Sequence, residues 1–575
     1  MNSTRSIAET RFGAAFYAWL RDRWTAGLAL RSDVALILLI SIAWAVLYNL
    51  QFWHQAIAAM WHPAAGAALF LVSLFVVVVC LQALLLALVP TRVGLRVAAS
   101  ALFVVAAASS YFASAYGAIM NQDMIRNAIE TDPAEVGGLM SFDLFAHVLL
   151  LGLLPAVLVW RVTLPSSSSW RAQLRQRLVF IGSVLAVCAV ALFSCSANYA
   201  VFFRAHKTVR YALSPAAPVV SFVGLLAEKE KRDPRAPLID PAGNVQRTAA
   251  VSDKPLVLFL VVGETARAAN FQLGGYQRAT NPELSSRQDV VYFDHATSCG
   301  TSTAISVPCI FSHLPRERFD VEQADRYTNL LDSVVKAGFA TEWRDNNAGC
   351  KGVCARVVQV AYPGKSDPAH CPNSYCYDEV MLTDLAARLQ TLTQDTVVVF
   401  HTIGSHGPAY AERYPPQFEV FKPACRSNEL QRCTAQEVVN AYDNSILYTD
   451  HVLAKQIDLL QANASRFDSM LLYASDHGES LGEQGIYLHG LPYSFAPRVQ
   501  KEVPMLLWAS RGYVERTGLS LNCVKARSHN AVSHDNLYHT VLGALAVHNA
   551  VYDPRMDILA QCRSALPQTL SSNHE

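Results

Sequence analysis

The stretch LVLFLVVGET, residues 256–265, sets seven apolar residues directly before a glycine, a carboxylate and a hydroxyl. An apolar run with no polar face predicts a strand buried on both sides, as in a parallel sheet covered by helices. Three further runs have the same character: 396–400, 469–473 and 504–508. Two stretches have helical periodicity: 443–462 and 536–545. We therefore expect residues 254–575 to form an α/β domain with a mostly parallel sheet.

Ionisable side chains follow these strands. Glu264 comes after the first, His401 after the second, and Asp476 with His477 after the third. Ligands of open α/β sheets bind at the carboxyl ends of strands, so these four residues are expected to converge. Alone, each acid would be a helix cap, but together the oxygen and nitrogen donors suit a catalytic zinc, and manganese would accept the same set. Two histidines extend the set: His406 in GSHGP, 404–408, and His489 in YLHG, 487–490.

Hydroxyl groups are concentrated in TSCGTSTAISVPC, residues 297–309, just before a possible helix start. Free N–H groups at a helix start favour a phosphate, and a metal-activated hydroxyl is a competent nucleophile. Spacing does not select one of the candidates: Ser298, Thr301, Ser302, Thr303 and Ser306. The alternative is a capped, hydroxyl-rich turn joined by Cys299 and Cys309.

The first 200 residues have a different composition from the rest of the chain. The 575-residue chain is 52% hydrophobic and only 16% charged, and the apolar excess lies in five runs free of Asp, Glu, Lys and Arg. The runs are 34–53, 63–91, 97–122, 144–160 and 178–203. A bilayer core needs about 20 helical residues, so we predict five transmembrane helices, with a buried core helix as the alternative for 144–160. The first run continues past Ala43-Trp44-Ala45, which favours an uncleaved anchor over a signal peptide.

Basic residues set the predicted orientation. Arginines precede the first run and lie between the second and third runs and between the fourth and fifth. The other connections, 54–62 and 123–143, contain Arg126 as their single Lys or Arg. The positive-inside rule then places the N-terminus in the cytoplasm and everything after residue 203 outside. Residues 204–253 combine basic, apolar and proline residues, as in a helix on the bilayer surface or a solvated linker. The net charge of +1 argues against a nucleic-acid partner.

Cysteine usage agrees with export. Of 13 cysteines, Cys80, Cys188 and Cys195 lie in apolar runs, which leaves ten in the exported part. Sequence proximity suggests four pairs, 299 with 309, 350 with 354, 371 with 376 and 425 with 433, and elimination leaves 523 with 562, although sequence alone does not fix the connectivity. Disulfides are expected in an oxidising compartment, with zinc as the alternative for the finger-like spacings at 350–354 and 371–376.

Seven ordered motifs together resemble a known family. They are VGET at 262–265, NP at 281–282, the 299–309 segment, WRDNN at 343–347, GSHGP at 404–408, SDHGE at 475–479 and YLHG at 487–490. This set is similar to the phosphoethanolamine transferases that modify lipid A, which include the mobile colistin-resistance enzymes. The resemblance implies a five-span domain at 1–203 with a periplasmic loop at 119–143, a bridging segment at 204–253, and a catalytic domain of alkaline-phosphatase/sulfatase-like fold at 254–575.

The resemblance also implies roles for individual residues. By motif position Glu264, Thr303, Asp476 and His477 would bind one zinc ion, and Thr303 would be the nucleophile. Four residues would line the phosphoryl site: Asn347, Lys351, His406 and His489. The two histidines are candidates for a second metal or for protonation of the leaving group.

Three residues of the loop after the third span would bind the lipid headgroup. They are Asn127, Thr131 and Glu135, whose i, i+4, i+8 spacing would place them on one helix face. Pro133 interrupts that helix or starts a new one, which puts a continuous face in doubt. The alternative is a solvated polar loop.

The implied reaction transfers phosphoethanolamine from phosphatidylethanolamine to a lipid A phosphate through Thr303. It would lower the negative charge of the outer surface and so reduce attraction of polymyxin and other cationic peptides. We expect a monomeric enzyme of the bacterial inner membrane with a periplasmic catalytic domain. The alternatives are another envelope acceptor, a phosphoglycerol transferase or sulfatase, and, ranked lowest, a receptor or transporter, because only His147 is ionisable within the apolar runs.

Overall fold

The computed structural model of the chain describes residues 28–59, 67–130, 133–165, 169–206, 209–230, 236–248, 252–362, 367–372 and 375–564. The chain divides into two compact units. The membrane unit comprises Met1–Gln122 and Ser141–Val223, and the α/β unit comprises Asp123–Met140 and Gly224–Glu575. The loop 123–140 therefore belongs to the α/β unit, although membrane helices flank it in sequence.

Apolar helices dominate the membrane unit. Within the described residues four are long and apolar enough to cross a bilayer: Ala67–Ala87, Arg92–Tyr116, Phe142–Arg161 and Trp170–Ser194. A fifth span results if Asp33–Leu47 and Leu50–Ala59, which meet at a bend of 61°, count as one. Only 17% of the most apolar window of Phe142–Arg161 is buried, so this segment is not the core helix considered as an alternative. The prediction of five spans thus agrees with four long apolar helices and one bent pair.

Shorter helices complete the first 230 residues. They are Gln122–Glu130, Pro133–Leu139, Ser196–Ala205 and Ala216–Glu230. The last of these lies within the segment predicted to bridge the two domains. Whether it rests on the bilayer surface stays a prediction.

The span Phe142–Arg161 contains a π-helical turn at Val148–Leu153, just before Pro155. Proline has no N–H, so the carbonyl of Leu151 lacks its usual i+4 donor. The hydroxyl of Tyr48 donates to that carbonyl instead. Since water is absent from a bilayer core, this hydrogen bond replaces one that the helix cannot make itself.

Asn49 occupies the bend of the first helix pair. Its buried amide donates to the carbonyls of Trp44 and Ser214, each at 2.8 Å, and its oxygen accepts the N–H of Ser214 at 2.8 Å. Gln82 donates to the same Ser214 carbonyl at 3.1 Å. These neutral groups fasten the chain after the last span to the helix bundle.

The α/β unit is built on a seven-stranded sheet. In chain order the strands are β1 Leu256–Gly263, β2 Val290–Phe293, β3 Ala340–Asp345, β4 Val358–Ala361, β5 Thr396–His401, β6 Asp468–Ser475 and β7 Met505–Ala509. Their spatial order is β2-β7-β6-β1-β5-β3-β4. Strand β7 runs antiparallel to β2 and β6, and all other neighbours are parallel. The predicted fold class is confirmed, and the four predicted strands are β1, β5, β6 and β7.

Both faces of the sheet are buried along its central strands. On β1, Leu258 and Leu260 pack into one apolar core, while Phe259 and Val261 pack into another on the opposite face. The α-helices described between residues 254 and 564 are Pro282–Ser285, Thr303–Ile310, Val321–Ala324, Leu330–Lys336, Leu385–Thr391, Ala435–Ala462, Arg498–Lys501, Arg511–Thr517, Leu521–Arg527 and Asp535–Ala544, and a 3-10 helix spans Asp378–Leu382.

The helix predicted to begin at residue 443 begins eight residues earlier, at Ala435. Thr434 and Glu437 form a capping box in which each side chain bonds the backbone N–H of the other. This reciprocal cap supplies two of the partners that a helix start otherwise lacks. The helix therefore extends into a polar stretch that apolar periodicity alone did not include.

Five disulfides join the cysteines of the α/β unit. They are Cys299–Cys309, Cys350–Cys354, Cys371–Cys376, Cys425–Cys433 and Cys523–Cys562. The pairing suggested by sequence proximity is confirmed, and the alternative of zinc-binding fingers is wrong. Cys80, Cys188 and Cys195 are free thiols buried in the membrane unit.

Candidate active site

Three buried ionisable side chains meet where β1 and β6 end. The register pairs Gly263 with Ser475, so Glu264 and Asp476 leave the sheet side by side, and His477 follows. Ligand atoms from Glu264, Asp476 and His477 all lie within 4.8 Å of one another, and each residue is 0% exposed. The parallel pairing of two adjacent strands therefore builds the group that was predicted from their carboxyl ends.

Glu264, Asp476 and His477, called the metal group below, have the chemistry of a divalent-cation site. Asp476 Oδ2 is buried and has no hydrogen-bond donor among the residues that the structure describes, as expected for an oxygen that binds a metal. Burial and the neighbouring Glu264 raise the pKa of Asp476 to about 7. Burial opposes charge on His477, but Asp476 and Glu264 outweigh it and raise the His477 pKa to about 10. Two carboxylates and an imidazole in this arrangement fit zinc.

Thr303 is the hydroxyl of the 297–309 segment that contacts this group. Its Oγ1 lies 3.1 Å from Glu264 Oε2 and 3.4 Å from His477 Nε2. Thr303 is also the first residue of the helix Thr303–Ile310, and the N–H groups of a helix start favour an anion. The candidate hydroxyl, the acidic group and a helix start thus lie together.

The other candidate hydroxyls have different partners. Ser298 donates to the Gly300 carbonyl at 2.6 Å, and Thr301 donates to the Leu491 carbonyl at 2.6 Å. Ser306 accepts the N–H of Gly300 at 3.1 Å, and Ser302 is buried at the helix N-cap. Of the five candidate hydroxyls, Thr303 is the one found in contact with Glu264 and His477.

His401 does not belong to the metal group, and this part of the prediction is wrong. Its Nδ1 lies 3.2 Å from Asp345 Oδ1 on the neighbouring strand β3, and its ring meets the edge of Trp343 at 5.4 Å. Burial acts to lower the pKa of His401, but the Asp345 carboxylate outweighs burial and raises it. His401 ends strand β5 and therefore lies at the predicted edge of the sheet. Its side chain contacts Asp345 on β3.

A cleft beside Thr303 collects all four predicted phosphoryl-site residues. It is lined by Asn127, Glu130, Thr303, Ala304, Asn347, Ala348, Lys351, His406 and His489. Asn347 donates to Glu264 Oε2 and to the Thr402 carbonyl, each at 2.8 Å. Lys351 donates to the carbonyls of Ala348 at 3.1 Å and Glu130 at 3.4 Å.

The two cleft histidines stand next to the metal group. The ring of His489 lies 4.3 Å from that of His477 and 5.5 Å from that of His406. Buried Glu479 holds His489 Nδ1 at 3.1 Å and accepts a hydrogen bond from Tyr410 at 3.0 Å. A carboxylate partner on Nδ1 leaves Nε2 of His489 as the nitrogen available to the cleft. Glu479 was part of a motif in the sequence but had no predicted role.

The loop 123–140 reaches this cleft. Asn127 and Glu130 line it, and Arg126 pairs with Glu322 at 3.4 Å. Farther along the loop, Asn428 donates to the carbonyl of Gly138 at 2.8 Å. The loop is thus held to the rest of the α/β unit at several points.

The structure describes two helices in this loop, one ending at Glu130 and the other beginning at Pro133. The two residues between them lie outside the described residues, so the i, i+4, i+8 face stays a prediction. Thr131 and the side chain of Glu135 lie outside the described residues. Their role in headgroup binding stays a prediction.

His534 is a site residue that the sequence did not reveal. Its Nδ1 accepts the N–H of Cys299 at 3.1 Å, and its Nε2 donates to the Ser475 carbonyl at 2.9 Å. It therefore joins the hydroxyl-rich loop to the end of β6. Burial lowers the pKa of His534 to about 4 and keeps the imidazole neutral. No local signal distinguishes this histidine from the others in the chain.

Sheet, strand-end acids and helix-start hydroxyl together define a sulfatase-like α/β enzyme fold of the alkaline-phosphatase superfamily. The sulfatase family model matches residues 257–547, and the model for phosphoethanolamine transferase EptA/EptB matches residues 78–229.

Known proteins match nearly the whole chain. Phosphoethanolamine transferase EptA of Salmonella typhimurium is 40% identical over 92% of this chain and 97% of its own length. Phosphatidylethanolamine transferase Mcr-1 of Escherichia coli is 36% identical over 86% and 91%, respectively. The structure of the integral membrane transferase EptA from Neisseria meningitidis superposes with a TM-score of 0.89 at 34% identity, covering 94% of this chain and all of that one. The chain belongs to the EptA/EptB family of phosphoethanolamine transferases.

Proposed function

We propose that this protein transfers phosphoethanolamine from phosphatidylethanolamine to a phosphate of lipid A through a covalent intermediate on Thr303. Membership in the transferase family supports the reaction class. The observation that carries the intermediate is the contact of Thr303 Oγ1 with Glu264 and His477 at the start of a helix.

The metal set in this proposal is Glu264, Thr303, Asp476 and His477. A zinc ion bound there would lower the pKa of the Thr303 hydroxyl and screen phosphoryl charge. Asn347 keeps Glu264 in place, and the neighbouring carboxylates orient His477. The residues therefore supply both the ligands and the contacts that fix them.

In the first step the Thr303 hydroxyl loses its proton to solvent and Oγ1 bonds to phosphorus, while the bond from phosphorus to the diacylglycerol oxygen breaks. Lys351 and the N–H groups at the start of Thr303–Ile310 stabilise the negative phosphoryl oxygens. His489 or His406 donates a proton to the departing oxygen. In the second step an oxygen of a lipid A phosphate attacks the same phosphorus and releases Thr303. If His406 and His489 bind a second metal instead, metal analysis will give two ions per chain.

We further propose that the protein is a monomer of the bacterial inner membrane with a cytoplasmic N-terminus and a periplasmic α/β unit. Five disulfides in the α/β unit and free thiols in the membrane unit support this placement, because disulfides persist in oxidising compartments. Asn127, with Thr131 and Glu135, would receive the donor headgroup. The transferred ammonium group would reduce the attraction of polymyxin to the cell surface.

Mass spectrometry of the full-length protein tests this proposal. Incubation with phosphatidylethanolamine without acceptor should release diacylglycerol and leave a phosphoethanolamine adduct on the peptide that contains Thr303. Thr303→Ala should give no adduct, whereas Ser298→Ala, in the same segment, should keep it.

Two outcomes would contradict the proposal. One is an adduct that persists in Thr303→Ala. The other is diacylglycerol release only from phosphatidylglycerol, which would identify a phosphoglycerol transferase. Adding lipid A should remove the phosphoethanolamine group from Thr303. If only core sugar or glucan removes it, lipid A is not the acceptor.

A further inference from the structure

The turn that carries His406 is packed against the metal group. Ser405 donates its N–H to the Glu264 carbonyl at 3.1 Å, and Thr402 donates its N–H to the Val262 carbonyl at 3.1 Å. Gly404 has φ +48°, and a Cβ at this position would lie 2.6 Å from the Glu264 carbonyl oxygen. The turn therefore approaches the backbone of Glu264 too closely for a side chain at position 404, and a small shift of the turn would displace His406.

A buried carboxylate holds one side of this turn. Asp378 Oδ1 accepts the N–H of Ile403 at 2.8 Å, and its Oδ2 accepts the N–H of Gly404 at 2.9 Å. Asn346 adds a third hydrogen bond to Oδ1 at 2.8 Å. Asp378 is only 3% exposed, so these bonds form without competition from water.

A buried guanidinium holds the other end. Arg413 Nε donates to the His406 carbonyl at 2.7 Å, and the guanidinium lies 4.0 Å from the centre of the Tyr375 ring. Residues 403–406 are thus fixed by an anion on their N–H groups and by a cation on their last carbonyl. Hydrogen bonds to ionised partners are about twice as strong as neutral ones.

We propose that Asp378 is a positioning residue of the active site, which acts on the reaction by setting the place of His406 through the 403–406 turn. The inference rests on the proposed function. Asp378 lines neither the cleft nor the metal group among the residues described, so its effect on catalysis must pass through the turn. A displacement near 1 Å at a catalytic group can cost roughly 100-fold in rate.

The segment that bears Asp378 is itself fixed nearby. Asn346 donates to the carbonyl of Cys376 at 3.0 Å as well as to Asp378, and Cys376 is bridged to Cys371. The hydrogen bonds therefore run from this disulfide through Asp378 to the turn.

Asp378→Asn is the variant that tests the inference. It keeps shape and size but replaces one acceptor oxygen with an NH₂ group, which then faces a backbone N–H. We expect kcat for phosphoethanolamine transfer to fall about 10- to 100-fold, with KM for phosphatidylethanolamine changed less than about threefold. The matched control is Asp367→Asn, a surface carboxylate in the preceding segment, which should keep wild-type kinetics.

A double-mutant cycle separates positioning from general damage. In a His406→Ala background the cost of Asp378→Asn should shrink to about threefold or less, because the residue that Asp378 positions is already gone. Equal costs in both backgrounds, or an unchanged kcat in the single variant, would overturn the inference. If Asp378→Asn does not fold, Asp378→Glu, which keeps both oxygens, takes its place in the same cycle.

Failure of the proposed function gives a different result. A wild-type protein that transfers no phosphoethanolamine contradicts the proposed function, and the cycle is then run on hydrolysis of bis-p-nitrophenyl phosphate. If the wild type is active but the effects of Asp378→Asn and His406→Ala on kcat are additive, only the role of Asp378 is contradicted.

Discussion

Two sets of buried polar groups, one in each unit, differ in chemistry. In the membrane unit, Tyr48 and Asn49 are neutral and bond to backbone carbonyls at a proline-altered turn and at a helix bend. In the α/β unit, Glu264, Asp476 and His477 are ionisable, and His477 lies 3.4 Å from a carboxylate oxygen of each of the other two. The neutral pair satisfies irregular backbone, whereas the ionisable group at the strand ends has donor atoms that could hold a cation.

The units also differ in how cysteine is used. The free thiols Cys80, Cys188 and Cys195 pack among apolar side chains, while ten cysteines of the α/β unit form five bridges. A bilayer supports its helices without covalent links, but a water-facing unit rich in irregular loops gains from them. Variants that act on one unit only can test both contrasts.

The largest effect is expected from the charged group. Glu264→Gln or Asp476→Asn removes an anionic ligand, so bound zinc and transfer activity should both fall, the activity by about 1,000-fold. Metal analysis of the purified protein and headgroup transfer from labelled phosphatidylethanolamine measure the two. Glu412→Gln, outside the metal group, is the control and should retain both. A variant that keeps full activity after losing its metal would contradict the cation site.

The sequence predicted the residues at the strand ends but not the residues that contact them. Long apolar runs and the acids after them revealed β1, β5 and β6, because burial on both faces leaves a local signature. The antiparallel direction of β7 has no such signature, since an apolar strand reads alike in either direction. Asp378 and His534 act through backbone groups distant in sequence, which no local pattern reports. Thr434 and Glu437 have the spacing of a capping box and mark the start of the helix Ala435–Ala462. A search for apolar periodicity alone does not detect this signal.

The next effect concerns the longest-range bridge. Cys523–Cys562 joins residues 39 apart, and chain entropy predicts that replacing both by serine lowers the free energy of unfolding by about 4 kcal/mol. Denaturant unfolding followed by tryptophan fluorescence measures the change. Cys80→Ala in the membrane unit is the comparison and should leave the unfolding of the α/β unit unchanged. An equal loss in both variants would contradict the contrast between the units.

The pH dependence of stability should show the neutral state of His534. Its pKa of about 4 lies below the ordinary value near 6.5, so the unfolded chain binds the proton first as pH falls. The stability of the α/β unit should therefore drop below pH 6.5, by a total of roughly 3 kcal/mol by pH 4. Thermal unfolding of wild type minus His534→Asn isolates this contribution. The exposed His529→Asn is the control, and an identical pH profile for wild type and His534→Asn would refute the assignment.

The smallest effect is expected in the membrane unit. Tyr48→Phe removes the donor to the Leu151 carbonyl and should lower stability by about 0.6 kcal/mol, the usual value for a hydrogen bond between membrane helices. Unfolding in mixed micelles measures it, with Tyr211→Phe as the control. Metal content and kcat should not change. A loss of several kcal/mol would mean that neutral groups in this unit stabilise it as strongly as charges do elsewhere.

The assignment of residues 123–140 has a practical outcome. The chain passes from one unit to the other at three points, after Gln122, Met140 and Val223. A soluble fragment starting at Gly224 would keep Glu264, Asp476 and His477 but would lack Asn127 and Glu130 from its cleft. Such a fragment should load metal normally yet recognise donor lipids poorly, so inhibitors selected against it would be tuned to an incomplete pocket.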